Sequence, residues 1–450
     1  MSQAPPPAGL DAAPARRPGP EARAQRPAPL RLRVVDYVAN PGGGMRYIAQ
    51  ALGAMSAVAG GLSIEVVSHS QALERYRAGL AEVGVAAAYT DAPPRNRAAR
   101  ALYGAGRVKA LRRWLGARGV HAPIQFEVPG WVARGGADAV WFPWIHLHMP
   151  PPPGPAPVVA TLHDLIFFTS PETLPPGQHA RERRAVEGWL GSGHRVVMTS
   201  RATLGTAREL FGVAPDRAQI IRVAEQHRTA APADPPAAWA WARGPFALLP
   251  ANLSPHKDHE TAIRAWGAWA RAAGTLDGGS ALSAVPVVLC GRDADLSARG
   301  RGAQLARLCQ AQGLRLGVDV ISLGFVQDPV YFGLLQRAWA LVMPSRHEGG
   351  GSFPVAEAVR AGVPVVCSDI PVLREHMEAI GGRVSWFGVG DADDLTTRLA
   401  ALRADHARVS AEARARVSAL SDRGWDQVAR EYLDVIARAS RLAEHARARP

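Results

Sequence analysis

Two glutamates, Glu348 and Glu357, bracket Gly349, Gly350, Gly351 and Ser352, with eight residues between the carboxylates. Glycines let a ligand approach the main chain closely. Ser352 followed by Pro354 is the pattern of a helix start, where unpaired N–H groups and the positive dipole end suit a phosphate. An ionised carboxylate only accepts hydrogen bonds, so the glutamates would repel that phosphate and suit hydroxyl groups instead. Glu357 would sit one turn into the helix, where side chains tilt back toward the N-terminus and return its carboxylate to the loop. Phosphates flanked by hydroxylated rings describe a nucleotide sugar. Taken alone, the stretch reads equally as a glycine-rich turn with two solvated glutamates.

Other residues shift that balance. Lys257 is one of two lysines in the 450-residue chain, the other being Lys109, and it follows the apolar run 246–250. An ammonium there can neutralise a leaving diphosphate, against the plainer reading of a surface lysine. His256 and His259 flank it, but no carboxylate or thiolate pattern completes a metal site. His163 and Asp164 interrupt the apolar stretch Ala156–Phe168, read as a buried strand. Such groups are costly there unless paired or placed at a strand end facing a cleft, so His163 reads as a sugar contact or as a satisfied core histidine. Gly42, Gly43 and Gly44 follow the first apolar run without the GxGxxG spacing of a dinucleotide site. Across a two-domain cleft they would face the other glycine loop. His146 and His148, ahead of a proline run, suit an acceptor pocket or a structured loop.

These residues need a scaffold that brings them together. Residues 30–38, the glycines and residues 45–60 read as strand, loop and helix. Apolar runs at 62–68, 137–143 and 195–200 continue the alternation, and it restarts at 246–254, 285–292, 318–326, 338–345 and 363–370. The stretch 228–245, rich in Pro and Ala, reads as an interdomain linker. Strands alternating with helices imply a mainly parallel sheet. The expected architecture is α/β, two doubly wound Rossmann-like domains facing across a cleft, with ligands at the carboxyl ends of the strands. The expected boundaries are a disordered Pro/Ala-rich tail over 1–29, an acceptor-side domain over 30–235 and a donor-side domain over 236–410. C-terminal helices over 411–450 would then pack back on the first domain.

A formal charge of +13 favours anionic partners. Residues 95–119 carry eight basic side chains in twenty-five, which suits either an anionic membrane surface or a basic outer face. Nucleic acid is not expected, because no recognition motif accompanies the charge. No run of ~18 apolar residues reads as a membrane span. Cys290, Cys309 and Cys367 are too widely spaced for a disulfide framework or a thiolate zinc site, and fit a reducing cytosol.

Together the motifs resemble the retaining, nucleotide-sugar-dependent glycosyltransferases of family 4 (glycosyl transferases group 1), with the GT-B fold. The likeness runs from about residue 32 to 400 through the N-terminal glycine loop, 161–167, 196–200, 252–263, 287–291, 322–326 and 341–376. By that resemblance Lys257 would hold the donor diphosphate, Glu357 the ribose hydroxyls and Glu348 the donor sugar. The amides of Gly350, Gly351 and Ser352 would lie near the pyrophosphate, His163 near the reacting centre, and Gly43 and Gly44 would close over it. No cofactor or metal is implied, and the partners would be a nucleotide-sugar donor and a glycan or lipid-linked acceptor. The sequence departs from the family twice: seven residues usually separate the glutamates, and the arginine often found shortly before the lysine is absent at Ala251, Asn252 and Leu253. Arg292 and Arg346 are candidates to replace it. Rival readings keep the fold with epimerase or phosphorylase chemistry, or give a non-catalytic basic scaffold.

Overall fold

The computed structural model describes residues 29–38, 43–93, 95, 125–174, 178–214, 218–224, 231–272, 285–297 and 300–447. Apart from Pro29 and Arg95, the expected tail and the basic stretch 95–119 lie outside the described residues, as does Gly42.

Strands β1 (Leu30–Val35), β2 (Leu62–Ser68), β3 (Ala88–Asp91), β4 (Ala139–Phe142), β5 (Val158–Leu162), β6 (Arg195–Met198) and β7 (Ala218–Ile220) form one sheet. Its order is β3-β2-β1-β4-β5-β6-β7 and every pairing is parallel. A second parallel sheet contains β8 (Ala247–Pro250), β9 (Val287–Cys290), β10 (Val320–Ser322), β11 (Ala340–Met343), β12 (Val365–Ser368) and β13 (Ser385–Phe387). It is ordered β10-β9-β8-β11-β12-β13. Helices α1 (Gly43–Val58), α2 (Ser70–Glu82), α3 (Ile166–Thr169), α4 (His179–Gly191) and α5 (Arg201–Phe211) accompany the first sheet. With the second are α6 (His259–Ala272), α7 (Arg301–Ala311), α8 (Asp328–Arg337), α9 (Phe353–Arg360), α10 (Pro371–Ile380) and α11 (Ala392–Ala404), and α12 (His406–Arg416) and α13 (Trp425–Arg447) end the chain.

The strands are apolar throughout because helices cover both faces of each sheet. In the first sheet Leu32, Val34, Trp141, Val159 and Val197 pack with α1, α2 and α13, while Val35, Val140, Phe142, Ala160 and Leu162 pack on the opposite face with Val186 and Trp189 of α4. The second sheet repeats the division, with Leu249, Val287 and Val342 on one face and Leu248, Val288 and Leu341 on the other. The long α13 is built into the first domain. Tyr432 buries its hydroxyl 2.8 Å from those of both Tyr47 on α1 and Thr161 on β5, so the chain crosses back as expected.

Two local expectations change. The run Ala156–Phe168 does not stay extended: β5 stops at Leu162, and Asp164 Oδ1 accepts the Ile166 N–H at 3.0 Å, turning the chain into α3. The stretch read as a linker is packed over its described part. Ala233 N–H donates to Pro329 O at 2.8 Å, Trp239 and Trp241 stack at 5.6 Å, and Ala242 is buried in the second core.

Each strand order reverses direction once, between β1 and β4 and between β8 and β11. At such switch points the loops leaving the carboxyl ends diverge and open a crevice. Gly43 and Gly44 follow β1, Lys257 follows β8, and Glu348 with its glycines follows β11, so the residues singled out by chemistry gather at both crevices.

Candidate active site

Lys257 ends a short 3-10 turn, Pro255–Lys257, after β8. Its Nζ lies 2.6 Å from Glu348 Oε1, and Ser345 Oγ donates to the same oxygen at 2.7 Å. The two loops are tied together by main chain as well, since Arg346 N–H donates to His256 O at 2.8 Å. Arg346 Nε pairs with buried Asp258 at 2.9 Å, so this candidate second cation is committed to bracing the turn behind Lys257. The longer glutamate spacing therefore leaves Glu348 beside Lys257.

Glu357 lies on α9, buried, with one carboxylate oxygen accepting the Tyr331 hydroxyl at 2.8 Å. The other is 2.8 Å from Nη2 of Arg46, which reaches over from α1 of the first domain. Burial raises the Glu357 pKa, with Arg46 and Tyr331 pulling against it. The Arg46 guanidinium also lies over the Phe332 and Phe353 rings, 5.7 and 5.9 Å from their centroids.

The three glycines of the loop are explained by protein neighbours. A Cβ on Gly349 would meet His163 O at 3.1 Å, one on Gly350 would meet Thr199 Cβ at 2.7 Å, and one on Gly351 would collide with the His376 ring. Only Gly351, at φ +131°, also occupies backbone space that side chains avoid. The glycines thus let β5 and β6 of the first domain, and α10 of the second, approach the loop. The expected side-chain cap does not form. Ser352 has extended backbone at the start of α9 with no capping bond from its hydroxyl, and its N–H donates to His376 Nδ1 at 3.2 Å. His376 fills the role because its buried ring is unprotonated, its pKa pulled down to about 4 by burial and by nearby Arg222 and Arg360.

His163 sits just past the end of β5, between Trp144, stacked at 5.0 Å, and Tyr47, edge-on at 4.6 Å. Its Nε2 lies 2.8 Å from Pro143 O. A carbonyl only accepts, so Nε2 carries the proton. Burial pulls the ring pKa down to about 4, which leaves Nδ1 as a lone-pair acceptor near neutral pH. His163 is thus both a placed cleft residue and a hydrogen-bonded one. Its neighbours His146 and His148 are wholly internal. Burial opposes a charge on His146, yet Glu182 and Asp164 lift its pKa to about 9, and His148 Nε2 accepts the Tyr37 N–H at 2.9 Å. Neither lines an acceptor pocket. His256, partly buried, and His259, fully buried, are neutral rings pulled to about 3 by burial and nearby cations. Among the described residues no group of three or more His, Cys, Asp or Glu is arranged to hold a metal.

The sequence reading missed the residues that join the two domains. Glu375 on α10 accepts the N–H groups of Arg201 and Ala202 at 2.9 Å each, so a carboxylate of one domain caps α5 of the other. Ser200 Oγ, which caps α5 from within, also donates to Gly349 O at 3.4 Å. For Arg46, the available signal was its place two residues after Gly44.

The sequence and the fold have counterparts in known proteins. Residues 41–222 match the model of Glycosyltransferase Family 4, and residues 239–418 match that of Glycosyl transferases group 1. No curated protein matches the sequence. Among solved structures, sucrose-phosphate synthase from Thermosynechococcus elongatus superposes with a TM-score of 0.58 at 16% identity, over 91% of this chain and 98% of that one. HepE from Anabaena, in complex with UDP and glucose, gives 0.56 at 15% identity over 93% and 100%. A glycosyltransferase from Rickettsia africae gives 0.56 at 11% over 92% and 99%. At these identities the structural likeness speaks to the GT-B fold.

Proposed function

The chain belongs to glycosyltransferase family 4, and from that premise we propose that it transfers a hexose, with retention, from a nucleotide-diphosphate sugar to a glycan or lipid-linked acceptor in envelope or exopolysaccharide synthesis. The observation that carries the donor reading is the Lys257–Glu348 pair, 2.6 Å apart at the β8/β11 crevice. One ammonium and one carboxylate side by side suit the two chemistries of such a donor, phosphate and sugar hydroxyl.

In the proposed reaction the bond between the anomeric carbon and the phosphate oxygen breaks while the acceptor oxygen bonds to that carbon on the same face. The departing phosphate oxygen takes the acceptor proton, so no carboxylate nucleophile is required. Charge on the leaving diphosphate is met by Lys257 and by main-chain N–H groups of Gly350 and Gly351, a metal-independent arrangement. Glu348 takes donor-sugar hydroxyls, Glu357 the ribose, and His163 Nδ1 can accept from a sugar hydroxyl. Gly43 and Gly44, at the start of α1, cover the site from the first domain. With no helix among the described residues long and apolar enough to cross a membrane, a lipid-linked acceptor would be met at the surface of the bilayer.

The test is nucleotide release from a panel of UDP-, GDP- and ADP-sugars, with Lys257→Ala and Glu357→Ala as controls. The UDP series comes first because HepE is held with UDP and glucose. One donor should turn over and both variants should lose that activity; neither binding nor turnover of any donor would overturn the proposal.

A further inference from the structure

The cleft holds two ion pairs of matching composition. Lys257 Nζ meets Glu348 at 2.6 Å and Arg46 Nη2 meets Glu357 at 2.8 Å. The first lies within one domain and the second spans two. The cations and carboxylates balance, so a diphosphate entering between them finds no net positive charge unless the carboxylates find other partners. A nucleotide sugar supplies those partners at both ends, because its sugar and ribose hydroxyls can donate to carboxylates. Each carboxylate so engaged releases its cation toward the phosphates in the middle.

We propose that Arg46 is a donor-binding residue, the second cation on the diphosphate, which exchanges Glu357 for phosphate oxygen when the ribose hydroxyls take that carboxylate. The inference rests on the donor reading above. Three observations favour it. Arg46 is on the first turn of α1, a sixteen-residue helix with no acidic side chain in that turn, so its guanidinium and the helix dipole present positive charge on the same side. The side chain is mostly buried, 20% exposed, and its guanidinium lies over the Phe332 and Phe353 rings, which hold a planar, forked donor beside Glu357. The second domain supplies little else: no arginine precedes Lys257 at Ala251, Asn252 or Leu253, Arg292 is exposed, and Arg346 is bound to Asp258. An arginine from the facing domain also makes diphosphate binding depend on closure, since one phosphate ligand then comes from each side.

Calorimetric titration of the full chain separates this exchange from a merely structural tie. The ligands are UDP, GDP and ADP and the matching nucleosides, and the proteins are the parent, Arg46→Ala and Arg46→Lys. Loss of a forked, charge-assisted contact should weaken the diphosphate roughly 10- to 100-fold in Arg46→Ala, and Arg46→Lys should fall between. The nucleoside should bind Arg46→Ala as well as the parent or better, because Glu357 has lost a competitor for its oxygen; retained nucleoside binding also reports that the variant is folded. If Arg46→Ala binds the diphosphate as tightly as the parent or more tightly, Arg46 only ties the domains and the proposal is wrong. If the parent binds none of the nucleotides, the donor reading fails and the proposal with it.

Discussion

The Lys257–Glu348 pair and the Arg46–Glu357 pair are alike in chemistry and unlike in what holds them. The first joins two loops of one sheet edge that are also bridged by main chain, from Arg346 N–H to His256 O, and Ser345 supports the same carboxylate. Its geometry is set by the fold of the second domain. The second pair has one partner on α1 and the other on α9, so it exists only while the domains are close. A rigid pair suits charge that develops at one fixed point, the leaving phosphate. A pair that forms across a cleft suits recognition that must follow closure.

Breaking the rigid pair should have the largest consequence. Lys257→Ala removes the fixed positive charge at the leaving group and should lower kcat/KM about 10²- to 10³-fold, roughly 3–4 kcal/mol, mostly through kcat. Initial rates of nucleotide release measure this. A fall confined to KM would show that Lys257 contributes equally to ground state and transition state, and would remove the distinction between the pairs.

Acid should act on the histidines around the glycine loop. His163, whose carbonyl meets Gly349, and His376, which meets Ser352, have pKa values drawn down to about 4 by burial. A free histidine titrates near ~6.5. Between ~6.5 and 4 the unfolded chain binds protons that these folded rings refuse, so stability is full above that window and is lost as pH falls through it, on the order of 3 kcal/mol per ring at most. His146 has the opposite sign: with its folded pKa raised to about 9, its contribution is full below ~6.5 and is lost as pH rises through 9. Thermal melts from pH 4 to 9 should peak near ~6.5. A profile rising monotonically with pH would contradict the assignment of His146, and a flat acid limb that of His163 and His376.

Breaking the carboxylate of the spanning pair should be milder. Glu357→Gln keeps an acceptor for Tyr331 and loses the charge facing Arg46, so the donor KM should rise about 10-fold with kcat changed less. Steady-state kinetics on the preferred donor check this. An equal fall in kcat and kcat/KM would assign Glu357 to the transition state instead.

The difference between the pairs also marks what a sequence can disclose. The strands under the site are buried on both faces and stand out as continuous apolar runs. The edge strands β3, β7 and β13, with half-exposed sequences such as Ala88–Asp91 and Ala218–Ile220, carry too few apolar residues to be noticed. Lys257 was legible because lysine is rare here and follows a strand, and Glu348 and Glu357 because they bracket glycines. Arg46 was not, since one arginine among many gains meaning only from the carboxylate across the cleft. The glycines were read for the freedom they give a ligand, whereas their nearest neighbours prove to be Thr199, His163 and His376, which no local pattern connects to residues 349–351. The stretch 231–245 misled for a related reason: its Pro and Ala look like a spacer, but Trp239 and Trp241 anchor it.

The finest test of the comparison is a contact that joins the domains without belonging to either pair. Glu375 receives two N–H groups from the first turn of α5, with its carboxylate buried at the junction. Glu378, one turn along α10, only approaches Arg201 at 3.8 Å with its side chain 80% exposed. Glu375→Gln replaces a doubly accepting carboxylate by an amide that can accept only through its oxygen and turns an N–H toward a donor. The loss should be about 1 kcal/mol, the size of a helix cap together with its dipole interaction. Glu378→Gln should leave stability unchanged, because an exposed pair at that distance is screened. If closure is what brings Arg46 to Glu357, Glu375→Gln should also raise the radius of gyration in small-angle scattering and raise the donor KM in the same direction as Glu357→Gln, while sparing the step that Lys257 serves. A Glu375→Gln protein with unchanged radius and a reduced kcat would instead tie the rigid pair to the junction, and the division between a fixed pair and a closing pair would have to be given up.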